Sequence, residues 1–393
     1  MTDETAARED GHQHTFPCDQ CGGQLSYQPG SEEMVCAHCG NQHRIHVSRD
    51  PILEYNYHTT LQSLPGAAPN AVSQTVDCEE CGAEFEFDRN INADACPFCG
   101  TPVVVDSHEN RHIQPKAILP LGISAEEGIK QYRKWIKRLW FAPSKLKKYA
   151  RRHKKLIGVY IPYWTYDCHA TTRYSGDRGD VYQVPQQVRV MVNGRMVVRT
   201  QMVTKIRWTP ASGVVQRDFD DVLVYASDSL PREVAREAAP WDLQNLRPYQ
   251  EEYVSGFQSE IYQTDLEQGF DFARQRMQPA IRQDIRYDIG GDQQRIRQAE
   301  TRYGNVNFKH ILLPFWVAGF RFRNRTYQFI VNGRTGEVQG DRPWSRWKIF
   351  FAVLSVALLV GLLLWFGAQE DGFLGRAAPS GYSLPYQMPD YYR

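Results

Sequence analysis

The sequence predicts an α+β protein: two small cysteine-built modules at the N-terminus, a β-rich α+β core domain and one C-terminal transmembrane helix. Three observations carry this. Eight of the nine cysteines fall into four C-x-x-C pairs. The stretch between about 156 and 340 alternates β-branched and aromatic residues with polar ones, interrupted by one long segment of helical period. Residues 349–368, IFFAVLSVALLVGLLLWFGA, contain no charged side chain.

Residues 1–15 have no apolar periodicity and are expected to be disordered. In residues 16–48, Cys18 and Cys21 form one pair and Cys36 and Cys39 another, with fourteen residues between. The spacing returns in residues 75–106, where Cys78 and Cys81 face Cys96 and Cys99. Gly22, Gly40, Gly82 and Gly100 each follow a second cysteine, where a doubled-back loop needs positive φ. Four thiolates in tetrahedral array suit structural Zn(II) with no coordination position left open, so two ions are expected. The first ten residues, MTDETAARED, are polar and acidic and hold no apolar leader, which favours metal ligation over disulfides. Modules this small bury little core, so zinc would supply most of their folding energy, on the order of 10–16 kcal/mol. They resemble zinc ribbons. Residues 49–74, rich in Pro, Gly, Ala, Asn and Ser toward the end, and residues 107–115 are expected to be linkers, leaving the ribbons some freedom.

The core domain is expected over 113–342. Ser124 and Glu127 form a capping box ahead of a helix with Ile129, Tyr132, Trp135, Ile136 and Leu139 on one face. A second short helix, SKLKKYARRH, should follow Pro143. Between Lys130 and Lys155 there are twelve basic residues and no acid. Lys145, Lys147, Lys148, Arg151, Arg152, Lys154 and Lys155 form its densest part. Such a run is a solvated face, a contact for anionic lipid headgroups, or a grip on nucleic-acid phosphates. Strands follow, with Asn193-Gly194 marking a hairpin turn. Residues 231–239 should form a short helix. Thr264 to Tyr287 should form a long one, with Leu266, Phe270, Ala273, Met277 and Ile281 on its buried face and an interruption at Pro279. Ile161-Pro162-Tyr163-Trp164 is echoed by Leu313-Pro314-Phe315-Trp316, as if two related β units shared the core. Asn332 to Gly336 closes a last hairpin.

Crossing a bilayer takes about 20 apolar residues in helical form. Trp344, Trp347 and Trp365 flank or close the span, as interfacial rings do. Arg342, Arg346 and Lys348 precede it, and Glu370 and Asp371 follow. The positive side stays inside, so the bulk of the chain is expected in the cytoplasm, with 369–393 a short tail beyond a single-pass cell-membrane anchor. The net charge of +1 and mean hydropathy of −0.53 select no partner by themselves.

No G-x-x-x-x-G-K-[ST], G-x-S-x-G, H-E-x-x-H or G-x-G-x-x-G is present, so Walker-type hydrolysis and the common hydrolase and dinucleotide motifs lack their signatures. Cys168-His169 and Asp288/Asp292 are the nearest approach to reactive constellations, and a buried cysteine and a loop cap explain them as well. Asp218, Asp220 and Asp221 are expected in a solvent-facing turn.

The stretches GVYIPYWTYDCHATTRYSGDRGD, FDDVLVYASDSLP, PWDLQNLRPYQEEYVSGF, YDIGGDQQRI and FKHILLPFWVAGFRFRNRTYQFIVNGRTGEVQGDRPWS, together with the ribbons and the span, resemble bacterial TFIIB-type zinc-ribbon-containing membrane proteins. Members often carry the label primosomal protein (replication factor Y) or superfamily II helicase-like. The resemblance covers most of 16–368 and implies no catalytic residues. Some relatives are encoded beside membrane-stress factors, which implies a scaffold. The expectation is a non-enzymatic membrane adaptor whose ribbons recruit a protein partner. The alternative is a membrane-tethered nucleic-acid-binding protein.

Overall fold

The computed structural model describes residues 16–48, 50–63, 71–78, 83–86, 96, 98, 108–144, 156–192, 195–231, 234–235, 238, 240–322, 325–340 and 345–374. Two units emerge, one of residues 1–135 and 153–341, the other of 136–152 and 342–393. The fold is mixed α+β with a large β-rich core.

The first unit opens with the antiparallel sheet β1 (Leu25–Tyr27), β2 (Glu33–Cys36) and β3 (Gln42–Arg44). Next come β4 (Tyr55–Asn56) and α1 (Tyr57–Ser63). The expected linker 49–74 is therefore built in part. β4 pairs with a core strand at Asn307 and Phe308, and Tyr57 is buried against Tyr166 and Phe270. The composition of 64–74 hid the fact that Tyr55 and Tyr57, just before it, are core residues. A second small sheet joins β5 (Ala71–Asp77), β6 (Glu84–Glu86) and β7 (His108–His112) in the order β6-β5-β7. Here too the expected tether 107–115 forms a strand, pairing Ala71–Thr75 with His112–His108.

The core sheet takes β8 (Ala117–Ile118), then α2 (Ala125–Arg138), β9 (Ile157–Val192) and β10 (Arg195–Tyr225). It is completed by β11 (Arg247–Pro248), β12 (Gln258–Ser259), α3 (Leu266–Ile289), β13 (Gln293–Phe322), β14 (Arg325–Asn332) and β15 (Val338–Gly340). Its main path runs β10-β9-β13-β14-β15, all antiparallel. The two echoing tetrapeptides lie on neighbouring antiparallel strands and meet where Ile161 pairs with Leu313. Side chains alternate across the sheet. On one face Val159, Ile161, Tyr163, Ile311, Leu313 and Phe315 form a core with Ala83, Phe98, Leu230 and Ala238. On the other, Trp164, Tyr166, Cys168 and Tyr174 pack beneath α3.

Helix α3 starts where Asp265 accepts a hydrogen bond from the Gln268 N–H, a side-chain cap for an orphan donor. All five residues expected on its inner face are buried. Pro279 does not interrupt it: the helix is continuous over 24 residues, with Met277 and Ile281 seated on the sheet either side of the missing N–H. In α2, Ser124 Oγ accepts from the Glu127 N–H, and Tyr132 and Trp135 meet Phe329 at 5.3 Å. In the expected helix at 231–239, Ala235 and Ala238 donate to carbonyls four residues back.

The second unit contains α4 (Arg346–Leu374) and the end of α2. Lys348 Nζ donates to the carbonyls of Trp140 and Ala142, and the Ser345 N–H to Phe141. The predicted span 349–368 falls within α4, whose described side chains run over 347–363 and include Trp365. Among the described residues, no helix is long and apolar enough to cross a membrane.

Candidate metal centre

Each C-x-x-C pair in the first module is turned by the same hydrogen bonds. The Cys18 N–H donates to Gly23 and the Gly22 N–H returns to Cys18; the Cys36 N–H donates to Asn41 and the Gly40 N–H returns to Cys36. Gly22 and Gly40 stand at φ +70° and +75°, where a side chain would strain the backbone. The result is two matching knuckles, brought together by the pairing of Leu25 with Cys36 across β1 and β2.

All four sulfurs of Cys18, Cys21, Cys36 and Cys39 lie within 4.8 Å of one another. Cys18 Sγ is 3.5 Å from Cys39 Sγ, and Cys21 Sγ is 3.6 Å from Cys36 Sγ. Zinc–sulfur bonds of about 2.3 Å in a tetrahedron require sulfurs about 3.8 Å apart, so the donor set fits Zn(II) closely. Cys18 and Cys36 are buried and Cys21 and Cys39 exposed, leaving the centre at the module's surface. A Cβ on Gly23 would stand 3.3 Å from two of the sulfurs, so the position has no room for bulk.

The thiols differ in acidity. For Cys18, burial opposes ionisation, but the N–H groups of Gln20 and Cys21, with Cys39 and Asn41, outweigh it and bring the thiol down to about 6. Hydrogen bonds from the Cys39 and His38 backbone lower Cys36. Cys39 is pushed up to about 12: the backbone bond from Asn41 favours its thiolate, but the other sulfurs and burial prevail. Four thiolates cannot coexist at this distance without a cation, so zinc would displace the protons that the set retains.

The first module is docked rather than free. Tyr27 donates its N–H to Ser255 and its hydroxyl to Leu121, and Ser255 Oγ donates to Leu25. Its ring lies 5.3 Å from Tyr253 and 6.2 Å from Phe257, and it is buried. No cysteine signalled this contact; it depends on Tyr27 and on residues more than two hundred positions later.

In the second module Cys78 and Cys96 are buried and belong to the core cluster of the sheet, and the Cys78 N–H donates to Ala83. Cys81 and Cys99 lie outside the described residues, as do Lys145, Lys147, Lys148, Arg151, Arg152, Lys154 and Lys155 and the helix expected there.

The other sequence candidates take structural roles. Cys168 and His169 point to opposite faces. Cys168 is buried against Met277 at 3.6 Å, and burial pushes its thiol up to about 11, the wrong direction for a nucleophile. His169 pairs with Asp218 at 2.5 Å, and His310 Nδ1 meets the Ile113 carbonyl at 2.7 Å. Asp288 accepts from the Tyr174 hydroxyl and Asp292 from the Val181 N–H. Asp220 and Asp221 are not in a turn: they form a β-bulge between Phe219 and Val222 within β10, with Asp221 at φ +50°.

One cluster escaped sequence reasoning. Asp167, Asp220 and Asp221 converge within 4.8 Å, and the chain's own cation enters the group. Lys309 Nζ lies 2.7 Å from Asp221, 3.0 Å from Glu54 and 3.6 Å from Asp167. Burial works against the ammonium, but Asp221 and Glu54 hold its proton well above the usual lysine range. Burial raises Asp167 to about 7 against the pull of the Asp221 N–H and Lys309. The sequence signal was a lysine at 309 just ahead of the apolar run Ile311–Phe315.

No family model matches the chain, and no solved structure matches it. It is similar to an uncharacterized protein, YdjG, of Bacillus subtilis (strain 168). The two are 23% identical over 365 residues, covering 88% of this chain and 98% of that protein. The likeness covers most of the chain and brings no activity with it.

Proposed function

We propose that the chain is a non-enzymatic, membrane-anchored zinc-ribbon adaptor that recruits a protein partner to the cytosolic face of the cell membrane. The observation that carries the anchor is the exposure of α4. Phe350, Phe351, Val353, Leu354, Val356, Leu358, Leu359 and Leu362 are all exposed, on every side of the helix. A helix that packs on its own chain buries one stripe. An apolar helix exposed all round is matched to lipid. The basic flank at Arg342, Arg346 and Lys348 and the acidic one at Glu370 and Asp371 set the direction.

The recruiting surface is the first ribbon, whose zinc-fixed β3 is an edge strand with Gln42, His43 and Arg44 exposed, a form that suits pairing with an extended peptide. A second zinc ion is assigned to Cys78, Cys81, Cys96 and Cys99 on their matching spacing. The test is fractionation of cells expressing the full chain or residues 1–342, with metal analysis of the purified protein. The full chain should sediment with membranes and the truncation should not. Zinc should approach about two ions per chain and fall by one with Cys18→Ser. A truncation that still sediments with membranes removes the anchor.

A further inference from the structure

The β9–β10 hairpin outruns the rest of its sheet. The third strand, β13, begins at Gln293 opposite Gly179. Just beyond, Asp292 Oδ2 accepts the Val181 N–H at 2.7 Å, closing the three-stranded part. From there to Val192 and back from Arg195, only two strands pair. At about 3.3 Å per residue this arm reaches roughly 40 Å.

Both faces carry apolar side chains among Gln, Thr, Arg and Lys. One face carries Val181, Met191, Met196, Val198, Met202 and Ile206, and the other Val184, Val188, Val190, Val197 and Val203. Met191 is 71% exposed, Met196 62% and Met202 54%. The second face continues the one that α3 covers; α3 ends at Ile289, short of the arm. A lone two-stranded ribbon in water is marginal, and one that exposes large apolar side chains on both faces is stabilised by a covering medium. The charges choose among coverings. Residues 181–208 contain five basic residues and no acid, and Arg189, Arg199, Lys205 and Arg207 are exposed. Charges of one sign repel a second copy of the arm. Nucleic acid would call for aromatic stacking groups, but the outer half has none; Tyr182 and Trp208 sit at the root, under Arg207 and Arg295. Flexible aliphatic side chains among cations match an anionic bilayer surface, where methionine and valine enter the acyl boundary and arginine meets phosphate.

We propose that the arm, residues 181–207, is a second membrane-binding element that inserts its Met- and Val-rich end into anionic lipid. The proposal builds on the anchor reading, since the anchor supplies the nearby bilayer. The experiment separates the two. The full chain is reconstituted in vesicles of phosphatidylcholine, with or without phosphatidylglycerol, bearing p-benzoylphenylalanine in place of either Met196 or Leu354. Irradiation should give a lipid adduct at position 354 in both vesicles, and at 196 mainly with phosphatidylglycerol. The adduct at 196 should fall about fivefold for each of Arg189→Gln and Arg199→Gln. A lipid adduct at 354 with none at 196 overturns the arm and leaves the anchor standing. A lipid adduct at 196 with none at 354 keeps the arm and removes the anchor. Crosslinking of 196 to a second copy, or loss of its lipid adduct on adding a single-stranded oligonucleotide, also overturns the proposal.

Discussion

Trp164 and Met196 belong to one hairpin, yet they live in different solvents. Around Trp164, β9 is flanked by β10 and β13 and roofed by α3. The indole is fully buried, donates to the Thr264 carbonyl and meets Phe308, Tyr262 and His310 in tilted and edge-on contacts. Around Met196 the same two strands have no third strand, helix or ring against them among the described residues. The backbone pairing is the same in both regions. What differs is side-chain chemistry: aromatic rings with polar handles at the root, unbranched and β-branched aliphatics with cations in the arm. A ladder of hydrogen bonds therefore fixes the shape of this molecule, but packing decides which part of that shape is core.

Substitutions can break the contrast. Trp164→Ala should be the most damaging, costing about 3–5 kcal/mol in denaturant unfolding, because it empties a fully enclosed site. A loss below about 1 kcal/mol would mean that the root is no better packed than the arm. Lys309→Met should come next, at about 2–4 kcal/mol, since it leaves Asp167 and Asp221 without their cation; the partial exposure of Glu54 holds the figure down.

Asp167→Asn sharpens the root by its pH dependence. In the folded chain this carboxyl holds its proton to about 7, against 3.8 for an ordinary aspartate. The folded state thus binds more protons than the unfolded one between these values, and stability declines as pH rises from about 4 to about 7. The asparagine variant should lose that decline, as measured by unfolding midpoints across the range. Smallest of all should be Met196→Ala, within about 0.5 kcal/mol in detergent solution, with a larger effect only where lipid covers the arm.

Much of the first metal centre was legible because its chemistry is local. Two knuckles need two cysteines at fixed separation and a glycine after each pair, and all three constraints are written contiguously at 18–22 and 36–40. Helix α3 was legible through its 3.6-residue period, although Pro279 suggested a break. A proline costs one N–H and a local clash, and packing by Met277 and Ile281 outweighs that. Less visible were features set by distant partners. Nothing near Tyr27 names Ser255. Nothing near Tyr55 shows that it pairs with Phe308. The lengths of β9 and β13 were also concealed, since the alternating pattern passes through Gly176, Gly179 and Pro185 without the break that such residues usually mark. The bulge at Asp221 looked like a turn because acidic residues in succession favour turns. Only its neighbours on β9 and β13 show that it serves to aim a carboxylate at Lys309.

Gly256 sits at φ +85°, and a Cβ there would come within 2.7 Å of Ser26. It touches no sulfur. A single methyl at this position would wedge the first ribbon away from the sheet while leaving its four cysteines intact. Metal loading and mechanical attachment are thus separable by mutation. A Gly256→Ala chain would keep its zinc but carry the ribbon on a loose joint, and the ribbon's fixed position against the sheet would be lost at the joint rather than at the metal.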